Sequence, residues 1–237
     1  MDYKEYNYSN DNLIKSEDHV LEGFMSRVYA WMAVALSISG ITAYAAASGS
    51  VAHRIATTPG LFWGIAIATF VCVIAISFLL LKLPLPLLIV IYIGYSFLTG
   101  LTLSIVFLIY TSGSIVSTFF ITAGAFSALS VYGFVTKRDL SAMGSFMFIG
   151  LVGLILASIV NIYMKSPAVY WALTVIGIVV FAGLTAYDTQ KLRDMGKNIE
   201  GESSDVQLRM AISGALRLYL DFINLFLKLL RLFGRRR

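Results

Sequence analysis

The sequence predicts an all-α integral membrane protein built as a seven-transmembrane-helix bundle. Hydrophobic residues make up 58% of the 237 residues, and charged residues only 13%. A soluble domain is typically about 45–50% apolar and about 25% charged, so this chain lies outside the soluble class. The apolar residues also form seven long stretches, and about 20 predominantly apolar residues are enough to cross a bilayer as a helix.

The predicted spanning helices follow one another along the chain with short polar breaks between them. Most breaks contain glycine, proline or serine, the residues typical of turns. The longest break, Thr189–Asp205, predicts a loop before the last helix. The predicted spans are Phe24–Ser48, Leu61–Leu81, Leu83–Tyr110, Ile115–Val135, Ala142–Tyr163, Ala168–Tyr187 and Val206–Phe233.

Two local patterns predict details of these helices. Ser204 and Gln207 have the spacing of a capping box, which would start the last helix. Small residues at four-residue spacing, Gly124 with Ala128 and Gly153 with Ala157, indicate positions where helices approach closely in lipid.

The two ends of the chain differ from the apolar middle. Residues 1–23 are polar and net acidic, and they lack the basic start and apolar core of a cleavable signal. We therefore expect a mostly disordered cytoplasmic tail over residues 1–23, a transmembrane domain over residues 24–234, and a basic tail over residues 235–237.

Basic residues predict the orientation, because cytoplasmic loops are enriched in lysine and arginine. With the N-terminus inside, the inner segments hold ten cations and the outer loops hold two. The inner ten are Lys4, Lys15, Arg27, Lys82, Lys137, Arg138, Lys191, Arg193, Lys197 and Arg209, and the outer two are Arg54 and Lys165. We expect a multi-pass membrane protein with a cytoplasmic N-terminus. A spanning last helix would leave Arg235–Arg237 outside, whereas a re-entrant or interfacial segment would return them to the cytoplasm.

Several function classes are excluded by what the sequence lacks. The net charge of +5 comes from scattered loop cations, so nucleic acid is not an expected partner. A single cysteine, Cys72, excludes an internal disulfide framework, and His19 and His53 lie in different segments. Motifs of zinc hydrolases, kinases and nucleotide-binding proteins are missing. We expect neither a catalytic residue nor a cofactor.

Two aspartates stand out as candidate functional residues. Between Phe24 and Tyr187 the only carboxylate is Asp139, whereas Asp188 ends the sixth apolar stretch and Asp221 lies inside the seventh. Ionisable side chains in membrane helices are costly and usually face a partner or a water-filled cavity. A purely structural explanation stays open for each: Asp188 facing headgroup water beside Lys191, and Asp221 paired with Arg217 on its own helix.

The last helix carries a polar stripe along one face. Its members are Arg217, Asp221, Asn224, Lys228, Arg231 and Arg235, separated by alternating steps of four and three residues. Such a helix could lie in the membrane interface as a basic amphipathic helix. It could also stand inside the bundle, with the stripe lining a conduit or meeting polar groups of other helices.

The chain resembles the Bax inhibitor-1 (transmembrane Bax-inhibitor-motif) family. The family's last two helices are resembled by the segments GLTAYDTQKL and LRLYLDFINLFLKLLRLFG, and its first helix is resembled by FMSRVYAWMAVAL. Its bacterial branch is resembled by the segment KRDLSAMGSFMFIGLVGLILASIVNIY. The resemblance implies six helices wrapped around a central C-terminal helix, and the likeness to the bacterial branch implies a location in the bacterial inner membrane. It also implies a pH-sensitive calcium leak, with Asp188 and Asp221 as the sensor and Lys82, where the family has arginine, as a latch.

The residues themselves support an ion-linked role for the two aspartates. Two carboxylates held close together in a low dielectric tend to share a proton and titrate as a pair. Once deprotonated, Asp188 and Asp221 would offer Ca²⁺ the hard oxygen ligands that it prefers, and Asn224 could add another oxygen. The expected partners are therefore the lipid bilayer, Ca²⁺ and protons.

Two other functions remain open. Tyr187-Asp188 and Asp221 superficially match an intramembrane aspartyl protease, but Leu218–Asp221 lacks the expected Gly-x-Gly-Asp, and no proline follows Pro167. The third possibility is an interaction protein that modulates a membrane protease or a stress response without conducting ions. The family resemblance allows it, because some bacterial members associate with a membrane AAA protease.

Overall fold

The computed structural model describes residues 3–199 and 201–237, with side chains from residue 19 onward. This part of the chain is helical and contains no β-strand. Seven of its helices are long and apolar enough to cross a membrane, which confirms the predicted fold class. The helices are α1 (Tyr3–Ser48), α2 (Val51–Thr57), α3 (Pro59–Leu79), α4 (Leu85–Ile109), α5 (Ser112–Val135), α6 (Ser141–Met164), α7 (Pro167–Lys197) and α8 (Ser204–Phe233).

The first helix begins earlier than the sequence predicted. We expected a mostly disordered tail up to residue 23, but α1 begins at Tyr3 and runs through Phe24 without a break. The side chain of Leu21 is buried, and with Phe24 it packs closely over Gly196 of α7. Leu21 belongs to the N-terminal segment whose polar composition indicates a disordered tail, so the sequence did not predict this apolar contact.

The seventh helix is also longer than predicted, which changes the position of Asp188. The expected loop over Thr189–Asp205 is wrong, because α7 continues to Lys197. Its extra turns bury Leu192 and Gly196, so tertiary packing keeps a polar segment helical. The next helix begins one residue earlier than the capping box suggested: Ser203, rather than Ser204, is its N-cap and accepts a hydrogen bond from the N–H of Val206.

The last helix, α8, occupies the centre of the bundle. It packs against α1, α3, α4, α5 and α7, while α6 packs chiefly against α7. Leu154 of α6 joins Leu225 and Leu229 of α8 in one apolar cluster. The central position confirms the wrapped-bundle prediction and excludes the interpretation of α8 as a helix lying on the membrane surface.

Helices α5, α6 and α7 approach closely at two glycines that the four-residue pattern did not identify. A Cβ atom on Gly133 of α5 would overlap the carbonyl oxygen of Ala186 on α7. A Cβ atom on Gly144 of α6 would overlap the ring of Tyr187. By contrast, Gly124 and Gly153 have no neighbouring atom within 4 Å of such a position, so those predicted contacts are wrong.

The bundle has two ends, which we call the α7–α8 end and the α6–α7 end after the connections that they carry. The α6–α7 end also holds the connection between α4 and α5 and the residues that follow α8. There the N–H of Thr111 donates to the carbonyl of Arg235 (3.0 Å), and the N–H of Arg237 donates to the carbonyl of Ile109 (2.9 Å). The basic tail is thus fixed against the end of α4.

Candidate functional site

The structure brings Asp188 and Asp221 together between α7 and α8. Asp188 lies nine residues before Lys197, the last residue of α7, and is therefore inside the helix rather than at its end. The two aspartate side chains lie within hydrogen-bonding reach of each other. Because an ionised carboxylate only accepts hydrogen bonds, a bond between two carboxyl groups requires a proton on one of them.

The two carboxyl groups differ in their surroundings. Asp221 is buried, with 5% of its surface exposed, whereas Asp188 is half-buried. Within the described part of the chain, Oδ2 of Asp221 is the one buried side-chain oxygen or nitrogen atom without a hydrogen-bond partner. A buried acceptor without a partner is unfavourable by about 1–3 kcal/mol. A bound proton or cation at this oxygen would remove that penalty.

The cations that act electrostatically on the pair come from the same two helices. The charges of Arg217 and Lys191 act on Asp188, and Arg217 also acts on Asp221. Neither cation has a nitrogen atom within 4.0 Å of an aspartate oxygen. Within residues 19–199 and 201–237, the ion pairs are His19–Glu22 and Arg193–Asp194. The structural explanations that pair Asp221 with Arg217, or Asp188 with Lys191, are therefore not supported by direct contacts.

The predicted latch residue does not reach the aspartates. Lys82 is exposed and lies in the turn after α3, which ends at Leu79. That turn is held instead by Arg209 of α8, whose Nη1 donates to the carbonyl oxygens of Leu80 (2.8 Å) and Leu83 (2.5 Å). Among the described side chains, Lys82 forms no ion pair with either aspartate, so the predicted latch is not formed in this structure, because the turn keeps Lys82 at the surface of the α7–α8 end.

Asn224 is placed one helical turn beyond Asp221, as predicted. Its Nδ2 donates to the carbonyl of Leu220 (2.8 Å), which leaves Oδ1 as an acceptor. In the described residues no group of three or more His, Cys, Asp or Glu side chains could hold a metal ion. Ca²⁺ takes six to eight oxygen ligands, so two carboxylates and an amide would suit a transient ion better than a resident one.

Polar side chains on α7 anchor the helix directly after Asp188. Nε2 of Gln190 donates to the carbonyl of Arg138, and its Oε1 accepts from the N–H of Leu140, both at 2.8 Å. Nη1 of Arg193 donates to the carbonyls of Phe134 (2.7 Å) and Thr136 (3.0 Å). These residues were missed because they fell in the predicted loop, although Gln190, Arg193 and Lys197 have helical spacing.

A second buried polar contact fixes α8 two residues before Asp221. The hydroxyl of Ser39 donates to the carbonyl of Ser96 (2.7 Å), so the hydroxyl of Tyr219 donates to Ser39 (2.7 Å). The ring of Tyr219 also packs edge-on against Tyr95, with 5.4 Å between ring centroids. Helix α8 is thereby joined to α1 and α4 beside the aspartate pair.

Comparison with known proteins gives relatives over nearly the whole chain. Residues 21–237 match the family described as "Inhibitor of apoptosis-promoting Bax1". Inner membrane protein YbhL of Escherichia coli K12 is 49% identical over 218 residues, which cover 92% of this chain and 93% of the relative. Uncharacterized protein RP147 of Rickettsia prowazekii is 42% identical over 225 residues, which cover 94% of each. The matched region includes both aspartates.

Proposed function

Because the chain belongs to the Bax inhibitor-1 family of membrane proteins, we propose that it is a pH-sensitive calcium leak channel. Calcium passes down its gradient through the interior of the bundle. The protonation state of Asp188 and Asp221 sets the fraction of open molecules. The observation that carries this proposal is the carboxyl pair on α7 and α8, in which the buried Oδ2 of Asp221 has no hydrogen-bond partner.

The electrostatics of the pair give protonation a mechanical effect. With a shared proton, the two side chains hydrogen-bond and hold α7 against α8. Two unit negative charges about 4 Å apart repel by about 4 kcal/mol at an effective dielectric constant near 20. Loss of the proton therefore either separates the helices or draws a cation between them. Ca²⁺ is suited to that place, because deprotonated Asp188 and Asp221 and the Oδ1 of Asn224 are all oxygen ligands.

In this proposal the α7–α8 end faces the cytoplasm, as the distribution of basic residues predicts. The two carboxyl groups have split titrations, because the first charge disfavours the second. The response of the flux should accordingly extend from acidic to near-neutral pH instead of following one isolated aspartate.

The test is calcium flux through the purified protein in liposomes as a function of pH. Asp188→Asn and Asp221→Asn keep the side-chain shape and remove the titrating charge, so each should flatten the pH dependence. Asp139→Asn is the matched control, because Asp139 is an exposed carboxylate at the start of α6 and does not contact the pair. Its flux should keep the pH profile of the parent.

An unchanged pH profile in both aspartate variants would refute the sensor assignment. Should the parent protein carry no flux at all, the alternative function becomes the better proposal. In that alternative the protein modulates a membrane protease or a stress response by binding a partner. Co-purification of a membrane AAA protease with the protein, equally strong for both aspartate variants, would support it.

A further inference from the structure

A polar pocket lies at the α6–α7 end, on the side of the bundle away from the aspartate pair. It has a volume of about 340 Å³ and is formed by α6, α7 and α8. Ligand pockets typically occupy about 300–1,000 Å³. Three cations, Lys165, Lys228 and Arg231, line the pocket, and no carboxylate does.

Lys228 is built into this pocket by the shape of α7. Its aliphatic stem passes over Gly177, where an added Cβ would lie 2.7 Å from the Cε of the lysine. The half-buried ammonium has one hydrogen bond, to the carbonyl of Leu173 at 3.4 Å, which is long for an N–H···O contact. An ammonium carries three donors, so Lys228 has capacity for an anionic acceptor.

The other polar groups in the pocket are also donors. The guanidinium of Arg231 lies 5.3 Å from the centroid of the Tyr170 ring, a contact that orients it without neutralising its charge. Lys165 follows α6 directly and is exposed. Oδ1 of Asn161 accepts from the N–H of Ser166 (3.1 Å), which leaves its Nδ2 to donate. The pocket therefore combines three positive charges with an amide donor.

The charge of the whole α6–α7 end has the same sign. Seven cations lie there, and the described side chains at this end include no carboxylate. The cations are Arg54, Lys165, Lys228, Arg231, Arg235, Arg236 and Arg237. A surface with charges of one sign raises the local concentration of anions. An anion is thus the expected occupant of the pocket.

We infer that this pocket binds the phosphate group of an anionic membrane phospholipid. Phosphate suits the donors present, because arginine can bind it with two parallel hydrogen bonds and lysine as a point charge. Ile162 lines the pocket and is 63% exposed, and the residues that follow it at the end of α6, Tyr163 and Met164, are 83% and 62% exposed. These apolar side chains provide a surface for acyl chains, which a free phosphate would not need.

The experiment measures lipid adducts of the purified protein by native mass spectrometry, with phosphatidylglycerol compared with phosphatidylcholine. Phosphatidylglycerol should bind preferentially. Lys228→Gln and Arg231→Gln should each weaken that binding about tenfold or more, because each removes a charged hydrogen-bond donor to the phosphate. Arg54→Gln is the matched control, because it removes an exposed cation at the same end outside the pocket.

Three results would overturn the inference. Equal loss of binding in Arg54→Gln would mean that the general field of this end, rather than the pocket, attracts the lipid. Full competition by inorganic phosphate or glycerol 1-phosphate at equal phosphate concentration would identify a soluble anion as the occupant. Unchanged binding in Lys228→Gln and Arg231→Gln would remove the site altogether. If either variant fails to fold, Lys165→Gln provides the same test from an exposed position.

Discussion

The contact between Gly133 and Ala186 determines how closely α5 approaches the segment of α7 that carries Asp188. A methyl group at Gly133 would overlap the carbonyl oxygen of Ala186 and would lie 2.9 Å from its carbonyl carbon and 3.1 Å from its Cα. All three atoms belong to the backbone, so rotation of a side chain cannot relieve the overlap. We therefore predict that Gly133→Ala forces α5 and α7 apart.

The expected loss of stability follows from two opposing contributions. Overpacking in a tight interior typically destabilises by about 1–3 kcal/mol. Replacing glycine by alanine inside a helix favours the helix by about 0.5–1 kcal/mol. The midpoints of the two ranges leave a net destabilisation of about 1 kcal/mol, or a fall in Tm of about 2–4 °C for a chain of this size. Because Asp188 follows Ala186 by two residues, the bond to Asp221 should weaken as well.

Gly124→Ala is the matched control on the same helix. Gly124 is exposed, and an added Cβ there has no neighbouring atom within 4 Å. The only remaining effect is the higher helix preference of alanine over glycine, so Gly124→Ala should be as stable as the parent or more stable by up to about 1 kcal/mol. Thermal unfolding of both variants in one detergent measures the difference. If Gly133→Ala unfolds at the same temperature as Gly124→Ala, the backbone contact is not as close as described.

Two further substitutions test the buried polar contacts and the exposed carboxylate. Tyr219→Phe removes the hydrogen bond to Ser39 and should lower the free energy of unfolding, measured with denaturant, by about 0.5–1.5 kcal/mol. Tyr132→Phe, at an exposed tyrosine, should leave it unchanged. Equal effects of the two substitutions would contradict the prediction. Hydrogen bonds from Ser141 lower the pKa of Asp139. Ionised Asp139 therefore stabilises the folded state at pH values above the ordinary aspartate pKa, and this stabilisation is lost as the pH falls through the lowered pKa. In an NMR titration Ser141→Ala should shift the pKa of Asp139 back towards its ordinary value but leave part of the shift, because the backbone hydrogen bond remains.

The apolar cores of the spanning helices could be predicted because a bilayer leaves few alternatives. Every backbone polar group must be satisfied within lipid, so a long apolar stretch has to be helical. The helix ends outside those cores were less predictable. The turns of α7 after Asp188 carry Gln190 and Arg193, and these polar residues indicate a loop until their partners at the end of α5 and on the α5–α6 connection are known.

The aspartates were visible in the sequence because carboxylates are rare in the apolar stretches. The contacts around the two aspartates could not be predicted from the sequence. In the sequence Arg209 is one of ten inner cations, near the start of the last helix, yet in the structure it holds the turn after α3 that contains Lys82. Spacing alone also cannot tell which glycine faces a neighbour, since Gly124 and Gly133 lie on one helix and only Gly133 touches α7.

The central position of α8 has a consequence for biogenesis. A ribosome releases the chain from its N-terminal side, so the helix that fills the middle of the bundle emerges after the seven others. Until then, Ser39 on α1 lacks Tyr219 and Asp188 on α7 lacks Asp221. The earlier helices must therefore enter the membrane with their inner faces incomplete. A substitution that delays insertion of α8 would leave those faces open to quality-control proteases, even though every earlier helix had been correctly placed.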